Sequence, residues 1–309
     1  MNDRLKTGMV DVCTERDLGQ VADLHCKSFY RDGSVATPGL RAYYRDVFFN
    51  NPWVDESFPS FVYRNTAGQV VGFMGCIPRR MTFVRRPLRV AVAHRLMVDP
   101  GGNFPFAASS LVRAFFSGPQ ELSISDGANE VARRLWEAAG GSTSFAHSLE
   151  WLWPLRPSRY ATLRYLGAKS WLTLASRPLC AVLDPMLKKF WGRRLPDFTE
   201  VIVEEVCDEA MIQSCLMSDV EKRDIRPAYE SNCLHWLLDQ LRKNQDRGRL
   251  HCVAMRDKEN VRQGSCLYYI RQNLQAEILL LAVRKNFTAS AIGGLMRFLH
   301  HRGVVAVRG

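Results

Sequence analysis

The sequence has no apolar run approaching the roughly 18 to 20 residues that a membrane span needs. Its first twelve residues, MNDRLKTGMVDV, lack the apolar core of a signal peptide. Both absences predict a cytoplasmic protein without a transmembrane segment. No Cys-x-x-Cys pair occurs among Cys13, Cys26, Cys76, Cys180, Cys207, Cys215, Cys233, Cys252 and Cys266, and their number is odd. Their scatter through apolar segments argues against zinc and against a disulfide framework, and predicts reduced, buried thiols. His300 and His301 adjoin and therefore point to different faces of a helix, so no metal is expected there or elsewhere. Acidic residues are also scarce: 31 against 42 basic ones leave a net charge of +11. That balance suits a polyanionic partner, whether a phosphorylated cofactor, nucleic acid or an anionic membrane, without choosing among them.

What is present is ample apolar material. At 309 residues and 47% hydrophobic side chains the chain can fill two cores. Residues 8 to 13 read as a strand, followed by a helix behind Thr14 with Leu18, Val21, Ala22, Leu24 and Phe29 at helical spacing. SFVYRNTAGQVVGFMGCI reads as a hairpin turning at Asn65 to Gly68, and LRVAVAHRLMV as a further strand. FAASSLVRAFF has a helical period, ELSIS is a short strand, and ANEVARRLWEAAG is an amphipathic helix with Val131, Leu135, Ala138 and Ala139 on its apolar stripe. The predicted order is β-α-α-β-β-β-α-β-α-β.

Between residues 154 and 198, prolines 154, 157, 178, 185 and 196 alternate with basic and aromatic residues, which predicts a connector with short helices. The plan then restarts. EVIVEEV is a strand, SNCLHWLLDQLRK a helix, LHCVAMRDKENVRQGSCLYYI a hairpin in which Gly264 takes the place of Gly72, AEILLLAV a strand, ASAIGGLMRFLHHRG a helix and VVAV a strand. This is a weak internal repeat; two unrelated α/β segments with similar hairpins are the alternative. The second copy runs out at Gly309 without the helix and closing strands that follow ELSIS in the first. Either the chain is truncated or the second unit is completed from elsewhere. The expected organisation is an N-terminal domain 1–154, a connector 155–198 and a C-terminal domain 199–309 that looks incomplete.

In NEVARRLWEAAGG, Asn129, Ala132, Leu135, Glu137 and Gly140 match the late helix of the GNAT acyltransferases, which the run resembles. MVDPGGNFPFAASSL likewise resembles that family's acetyl-CoA segment, with Val98, Pro100, Ala108 and Leu111 in register. The resemblance implies an α/β (α+β) fold of two tandem units, each a mixed, mostly antiparallel sheet flanked by helices. It also implies acetyl-CoA or another acyl-CoA as co-substrate, whose acyl group an acceptor amine takes by direct attack. The residues it implicates in cofactor binding are Met97, Val98, Gly101, Gly102, Asn103, Phe104, Phe106, Ala107, Ala108, Asn129 and Trp136. A strand end at Met97 and Val98 can pair with the amide-rich pantetheine arm. The first turn of the following helix offers unpaired N–H groups to a pyrophosphate, and the Asn129 carboxamide can both donate and accept.

The sequence departs from that pattern in the loop Asn103–Ala108, at Trp136 and at Gly141, which stands where the family has phenylalanine. Pro105 removes a donor and Phe106 adds bulk where the family has glycines, although Gly101 and Gly102 lie just upstream. Trp136 replaces the family's tyrosine, and an indole cannot act as a general acid near neutral pH. Glu56, beside Asp55, is a candidate general base, with a solvated loop acid as the alternative. His94 is a second candidate, with a hydrogen-bonded structural histidine as the alternative. Arg79, Arg80, Arg85, Arg86 and Arg89 flank a hairpin expected near the acyl-CoA position, where they would meet a phosphate or simply solvate the rim. LCAVLDPMLKKFWGRRL has apolar and basic faces that fit either an anionic membrane or an interdomain strut broken by Pro185.

The expected function is therefore an acyl-CoA-dependent N-acyltransferase acting on a small-molecule or peptide amine. A non-catalytic acyl-CoA-binding module is one alternative. A transferase that takes aminoacyl-tRNA as donor is the other, and its tRNA binding would weaken steeply with salt.

Overall fold

The computed structural model describes residues 8–30, 35–167, 170–190, 201–206, 210–212, 214, 224–228, 230–244 and 247–309. The chain gathers into two units. One takes the described residues up to Ser148 together with Asp224–Trp236; the other takes those of Leu149–Arg223 and Leu237–Gly309.

The first unit opens with β1 (Met9–Val12), α1 (Leu18–Phe29), α2 (Pro38–Phe48), β2 (Phe61–Arg64), β3 (Val70–Phe83) and β4 (Arg86–Val98). It continues with α3 (Ala107–Phe116), β5 (Leu122–Ile124), α4 (Glu130–Ala138) and α5 (Phe145–Ser148). Local chemistry sets these boundaries. The Thr14 N–H donates to Asp17 Oδ2 at 2.9 Å ahead of α1. Thr37 caps α2 by accepting from the Leu40 N–H at 3.2 Å, with Pro38 at the first helical position, where a missing N–H costs nothing. Between β2 and β3 the Asn65 side chain accepts from the backbone of Ala67 and Gln69, and Gly68 takes the positive φ of 76° that the turn requires.

The sheet order is β1-β2-β3-β4-β5, antiparallel except that β4 and β5 run parallel. α1 and α2 cover one face through Leu18, Val21, Leu24, Tyr44, Val47 and Phe48, packed on Phe73, Ile77 and Met97. α3 covers the other with Leu111, Val112 and Phe115 against Val71, Met74 and Ala91. α4 is the expected amphipathic helix, but its apolar stripe is not buried. None of its residues is buried, Val131 is 77% exposed, and only Leu135 and Trp136 lean on the core. Arg133 and Arg134, paired with Glu130 and Glu137, bind the helix to itself instead.

The second unit begins with β6 (Leu152–Pro154), α6 (Pro157–Leu166), α7 (Trp171–Ala175), α8 (Arg177–Phe190) and β7 (Ile202–Glu205). The chain then returns to the first unit with β8 (Ile225–Pro227), which pairs with the far end of β3, and passes back into the second along α9 (Ser231–Lys243). The remaining elements are β9 (Arg249–Arg256), β10 (Arg262–Ile270), β11 (Gln275–Val283), α10 (Thr288–His301) and β12 (Ala306–Arg308). The second sheet runs β6-β12-β11-β10-β9-β7, with β11 and β12 parallel. Its β7-β9-β10-β11-β12 portion repeats the order of the first sheet. The anticipated equivalence of two glycines also holds in register: Gly72 lies opposite Val98, and Gly264 opposite Val283, each the last residue of its strand.

One expectation is corrected. The strand after α4, expected to close the first sheet, is an edge of the second: β6 pairs antiparallel with β12, and Leu155 just beyond it is buried in the second core. The second neighbour of β12 thus comes from earlier in the chain. Seven of the cysteines are buried thiols outside any disulfide, and Cys207 and Cys215 lie outside the described residues, as does the connector beyond residue 190.

Candidate functional site

β5 pairs with β4 only from Val90 to Val92. From Ala93 to Val98 the side of β4 away from β3 has no partner strand among the described residues, so a row of backbone donors and acceptors stays open beside the end of β5. Within that stretch β4 bulges. Phe73 pairs with Met97 and Gly75 with His94, so Met74 faces two residues, Arg95 and Leu96, and Arg95 takes a φ of +63°. The bulge reverses the strand's phase. Ala91 and Ala93 point to the α3 face, as do Leu96 and Val98, whereas Val92 and Met97 point to the α1–α2 face. Gly75 makes the bend feasible, because a Cβ there would lie 2.4 Å from both the His94 carbonyl and the Phe48 ring. A non-glycine residue at positive φ is uncommon and costs of order 1 kcal/mol or more, which directs attention to Arg95.

Around the bulge lies a polar cluster inside an otherwise apolar face. His94 Nε2 is 3.0 Å from the Tyr43 hydroxyl on α2. The next residue of α2, Tyr44, is buried; its hydroxyl is 2.9 Å from His25 Nδ1 on α1 and donates to Met97 Sδ at 3.8 Å. The Arg95 guanidinium lies over the Phe29 ring at 5.3 Å, and its buried Nε has no hydrogen-bond partner among the described residues. Burial, assisted by the Arg95 charge, pushes the His94 pKa down to about 4, with Asp126 opposing, and does the same to His25. Both rings are neutral at pH 7. The arrangement therefore offers a neutral imidazole in contact with a tyrosine hydroxyl, a fixed cation and an open strand edge.

Of the residues expected to hold the cofactor, Met97 is buried and Val98 half-buried at that edge. The loop after them folds on itself. Gly101 N donates to Asp99 Oδ1 at 2.9 Å and Gly102 N to the Asp99 carbonyl at 3.3 Å, while Asp99 also pairs with Lys27. Phe104 is buried and Asn103 exposed; Phe106, at the N-cap of α3, is 59% exposed and followed by buried Ala107 and half-buried Ala108. The strand edge fits an amide-rich arm. The loop fits a pyrophosphate poorly, since a carboxylate already takes one of its amides and Pro105 has none to give. Asn129 caps α4, its Oδ1 accepting from the Ala132 N–H at 2.9 Å, so its amide donor is left for a ligand. Trp136 packs on Phe115 and Phe116, with ring centroids 5.7 and 5.0 Å away, as a side chain joining α4 to α3.

Glu56 is exposed in the loop after α2. Its neighbour Asp55 accepts from the Ser57 N–H and hydroxyl, which hold its pKa below the usual range. The charges that reach Asp55 are those of Arg89 and Arg80, so this loop belongs to the opposite end of β4 from the bulge. The arginine cluster is likewise corrected in position. Arg85, in the β3–β4 turn, is twelve residues from Met97, roughly 40 Å at strand rise. There Arg79 stacks on Trp53 at 3.7 Å, Arg80 pairs with Glu230 and Arg86 with Glu121. Sequence reasoning overlooked Tyr43, Tyr44, His25 and Arg95. The legible signal was the loss of alternation at His94–Arg95 in VAVAHRLMV, where the period-two pattern changes phase.

Solved structures share this fold. Over 98% of its length the chain superposes, with a TM-score of 0.61 and 12% identity, on a conserved protein of unknown function from Enterococcus faecalis V583, described as a probable N-acyltransferase. GCN5-related N-acetyltransferases from Kribbella flavida (TM-score 0.55, 15% identity, 100% of the chain) and Anabaena variabilis ATCC 29413 (0.56, 12%, 98%) are also similar. The chain spans 64%, 65% and 65% of the lengths of these three proteins, respectively. No family sequence model and no curated protein matches it by sequence. The chain has the mixed α/β fold of the GCN5-related N-acetyltransferases.

Proposed function

We propose, with that fold as premise, that the first unit is an acyl-CoA-dependent N-acyltransferase whose acyl donor lies along the open edge of β4. One observation carries the reading: β5 leaves β4 unpaired in the stretch where β4 bulges and gathers His94, Tyr43 and Arg95. The thioester supplies the activated acyl group. Backbone groups of Met97 and Val98 pair with the pantetheine arm in the manner of an added strand, and strand N–H donors stabilise charge on the carbonyl oxygen as the C–N bond forms and the C–S bond breaks. His94, neutral at pH 7, accepts a proton or relays one through Tyr43, which stands in for the acid that Trp136 cannot supply. Asn129 contributes its remaining amide donor. Glu56, at the other end of the strand, has no part in this chemistry. The acceptor is an amine of a small molecule or peptide, and the cytoplasm is the expected compartment.

A second reading, a module that binds acyl-CoA without turning it over, is favoured by the phosphate loop alone, where Asp99 takes the Gly101 amide and Phe106 stands at the helix start. Titration calorimetry with acetyl-CoA and a long-chain acyl-CoA, followed by thiol release across an amine panel, separates the readings. Binding that weakens in Phe106→Asp, together with amine-dependent thiol release, supports the enzyme. Binding without release supports the module. No heat with either thioester rejects both.

A further inference from the structure

In an ordinary strand consecutive side chains point to opposite faces of the sheet. At the β4 bulge they do not. His94 meets Tyr43 and Phe48 of α2, and the next residue, Arg95, meets Phe29 of α1, so both reach the α1–α2 side. The positive φ of Arg95 allows this, and Leu96 then resumes on the α3 side. Local strain thus sets a guanidinium beside an imidazole.

That guanidinium has no anion within the fold. Among the described residues no acid forms an ion pair with Arg95: Asp99 is taken by Lys27, and Asp126, whose charge reaches His94, is exposed and does not pair with it. Arg95 is half-buried; its Nε is shut from water without a hydrogen bond, whereas its two Nη atoms are not shut away. Polar groups withdrawn from water are ordinarily partnered, and the partner that fits a planar guanidinium is a carboxylate held by two parallel N–H groups. The neighbouring imidazoles do not compete for it, because both are neutral at pH 7.

We infer that Arg95 holds the carboxylate of the acyl acceptor, and that this acceptor is a free amino acid whose amino group lies at His94. The inference rests on the acyl-transfer reading above. Adjacency sets the substrate class: His94 and Arg95 are consecutive and on one face, so the amine and the anion they serve are separated by few bonds. An α-amino acid meets that condition. The N-terminus of a peptide carries an amide in place of the carboxylate, and the side-chain amine of a lysine is remote from its own carboxylate. In the reaction the substrate ammonium gives one proton to His94, and the amine electron pair forms the C–N bond as the C–S bond breaks. The second amine proton joins the departing thiolate by way of Tyr43. The products are an N-acyl amino acid, the CoA thiol and the proton that His94 passes to solvent.

The test is thiol release from acetyl-CoA and from a long-chain acyl-CoA by the full chain, with apolar, acidic and basic amino acids each set beside its primary amide and its decarboxylated amine. The parent should favour the acid over the amide by about 100-fold in kcat/KM. In Arg95→Met that ratio should fall to within about threefold of unity, through KM more than kcat, with acyl-CoA affinity by calorimetry unchanged. Arg95→Lys keeps the charge without the fork and should retain part of the preference. If melting shows that Arg95→Met does not fold, the parent's own ratio and Arg95→Lys carry the test. Equal or better turnover of amides by the parent overturns the inference and leaves acyl transfer standing, as does an acid preference that survives in folded Arg95→Met. Loss of acyl-CoA affinity in that variant would assign Arg95 to the phosphates of the donor and also overturn it. Absence of thiol release with every amine rejects acyl transfer itself, and this inference with it.

Discussion

In the first sheet the bulge of β4 falls at Arg95 and Leu96, next to His94; in the second, the register of β11 slips at Leu279, between Ile278 and Leu280. Both bends reverse the side-chain phase of the strand. Ala276 and Ile278 reach the core before the slip, and Leu281 and Val283 after it. Both strands also keep a parallel partner along only part of their length. The backbone device is thus repeated, while the bulged strand differs: it carries a histidine and an arginine beside two tyrosines in one unit, and Ile278, Leu279 and Leu280 in the other, where the next strand supplies buried Tyr268 and Tyr269 and His251 bonds Glu205. A bend of this kind needs no histidine or arginine on the bent strand itself, so His94 and Arg95 at the first bend need a reason beyond folding. Burying two imidazoles and a guanidinium on and around the bent strand costs free energy that leucines would not, and on that ground the proposal places the chemistry in the first unit.

The comparison can be broken most sharply at Gly75. A Cβ there meets backbone, the His94 carbonyl at 2.4 Å, as well as the Phe48 ring. Gly75→Val should lower stability by about 3 kcal/mol or prevent folding of the first unit, read by thermal unfolding. A neutral outcome would mean that the bulge is soft and its geometry unimportant. Next in size is turnover. His94→Ala should reduce acyl transfer by about 100-fold and Tyr43→Phe by about 10-fold, with acyl-CoA affinity nearly unchanged, whereas Leu279→Ala at the second bend should leave the rate within about twofold. Equal losses at both bends would remove the assignment of chemistry to one unit.

Much of this fold was legible because hydrophobic period and turn chemistry are local. The Asn65–Gly68 turn and the helix behind Thr14 follow from nearest neighbours in sequence, and the equivalence of Gly72 with Gly264 from laying one hairpin beside the other. The destination of β6 was not, because the few residues Leu152–Pro154 carry no mark of which sheet they join; burial of Leu155 in the second core decides it. The open strand edge at Met97 and Val98 could be placed from the run of motifs. His94 could be named, but its partners could not, since Tyr43 and His25 reach it or its neighbours only through the packing of α1 and α2. The apolar residues of NEVARRLWEAAG mark one face of an amphipathic helix, yet a stripe does not say what the face meets, and here salt bridges run along the surface while Trp136 makes the contact.

Acid sensitivity should also divide the two bends. The folded-state pKa values of His94 and His25 lie near 4, below the 6.5 of an unfolded chain. The unfolded chain therefore takes up protons that the native sites refuse. Stability should fall as pH drops from about 6.5 to about 4, by of order 2–3 kcal/mol for each histidine, and should change little from this source above pH 7. His94→Gln should flatten part of that slope in chemical denaturation across this pH range. An unchanged slope would show that the ring is solvated and titrates normally in the native protein.

The smallest effect is the most discriminating for the cofactor. Asn129 caps α4 through Oδ1, and Asn129→Ala should cost about 1 kcal/mol of helix stability. Loss of acyl-CoA binding in that variant alone would be ambiguous, because a frayed helix could misplace Trp136. Asn129→Ser resolves it, since serine keeps the cap and removes the amide donor. If calorimetry shows affinity falling several-fold in both variants while only alanine loosens the helix by circular dichroism, the carboxamide contacts the ligand. If serine binds acyl-CoA as well as asparagine does, Asn129 acts by holding α4, and the likeness of NEVARRLWEAAGG to an acyl-CoA helix rests on its architecture and not on recognition.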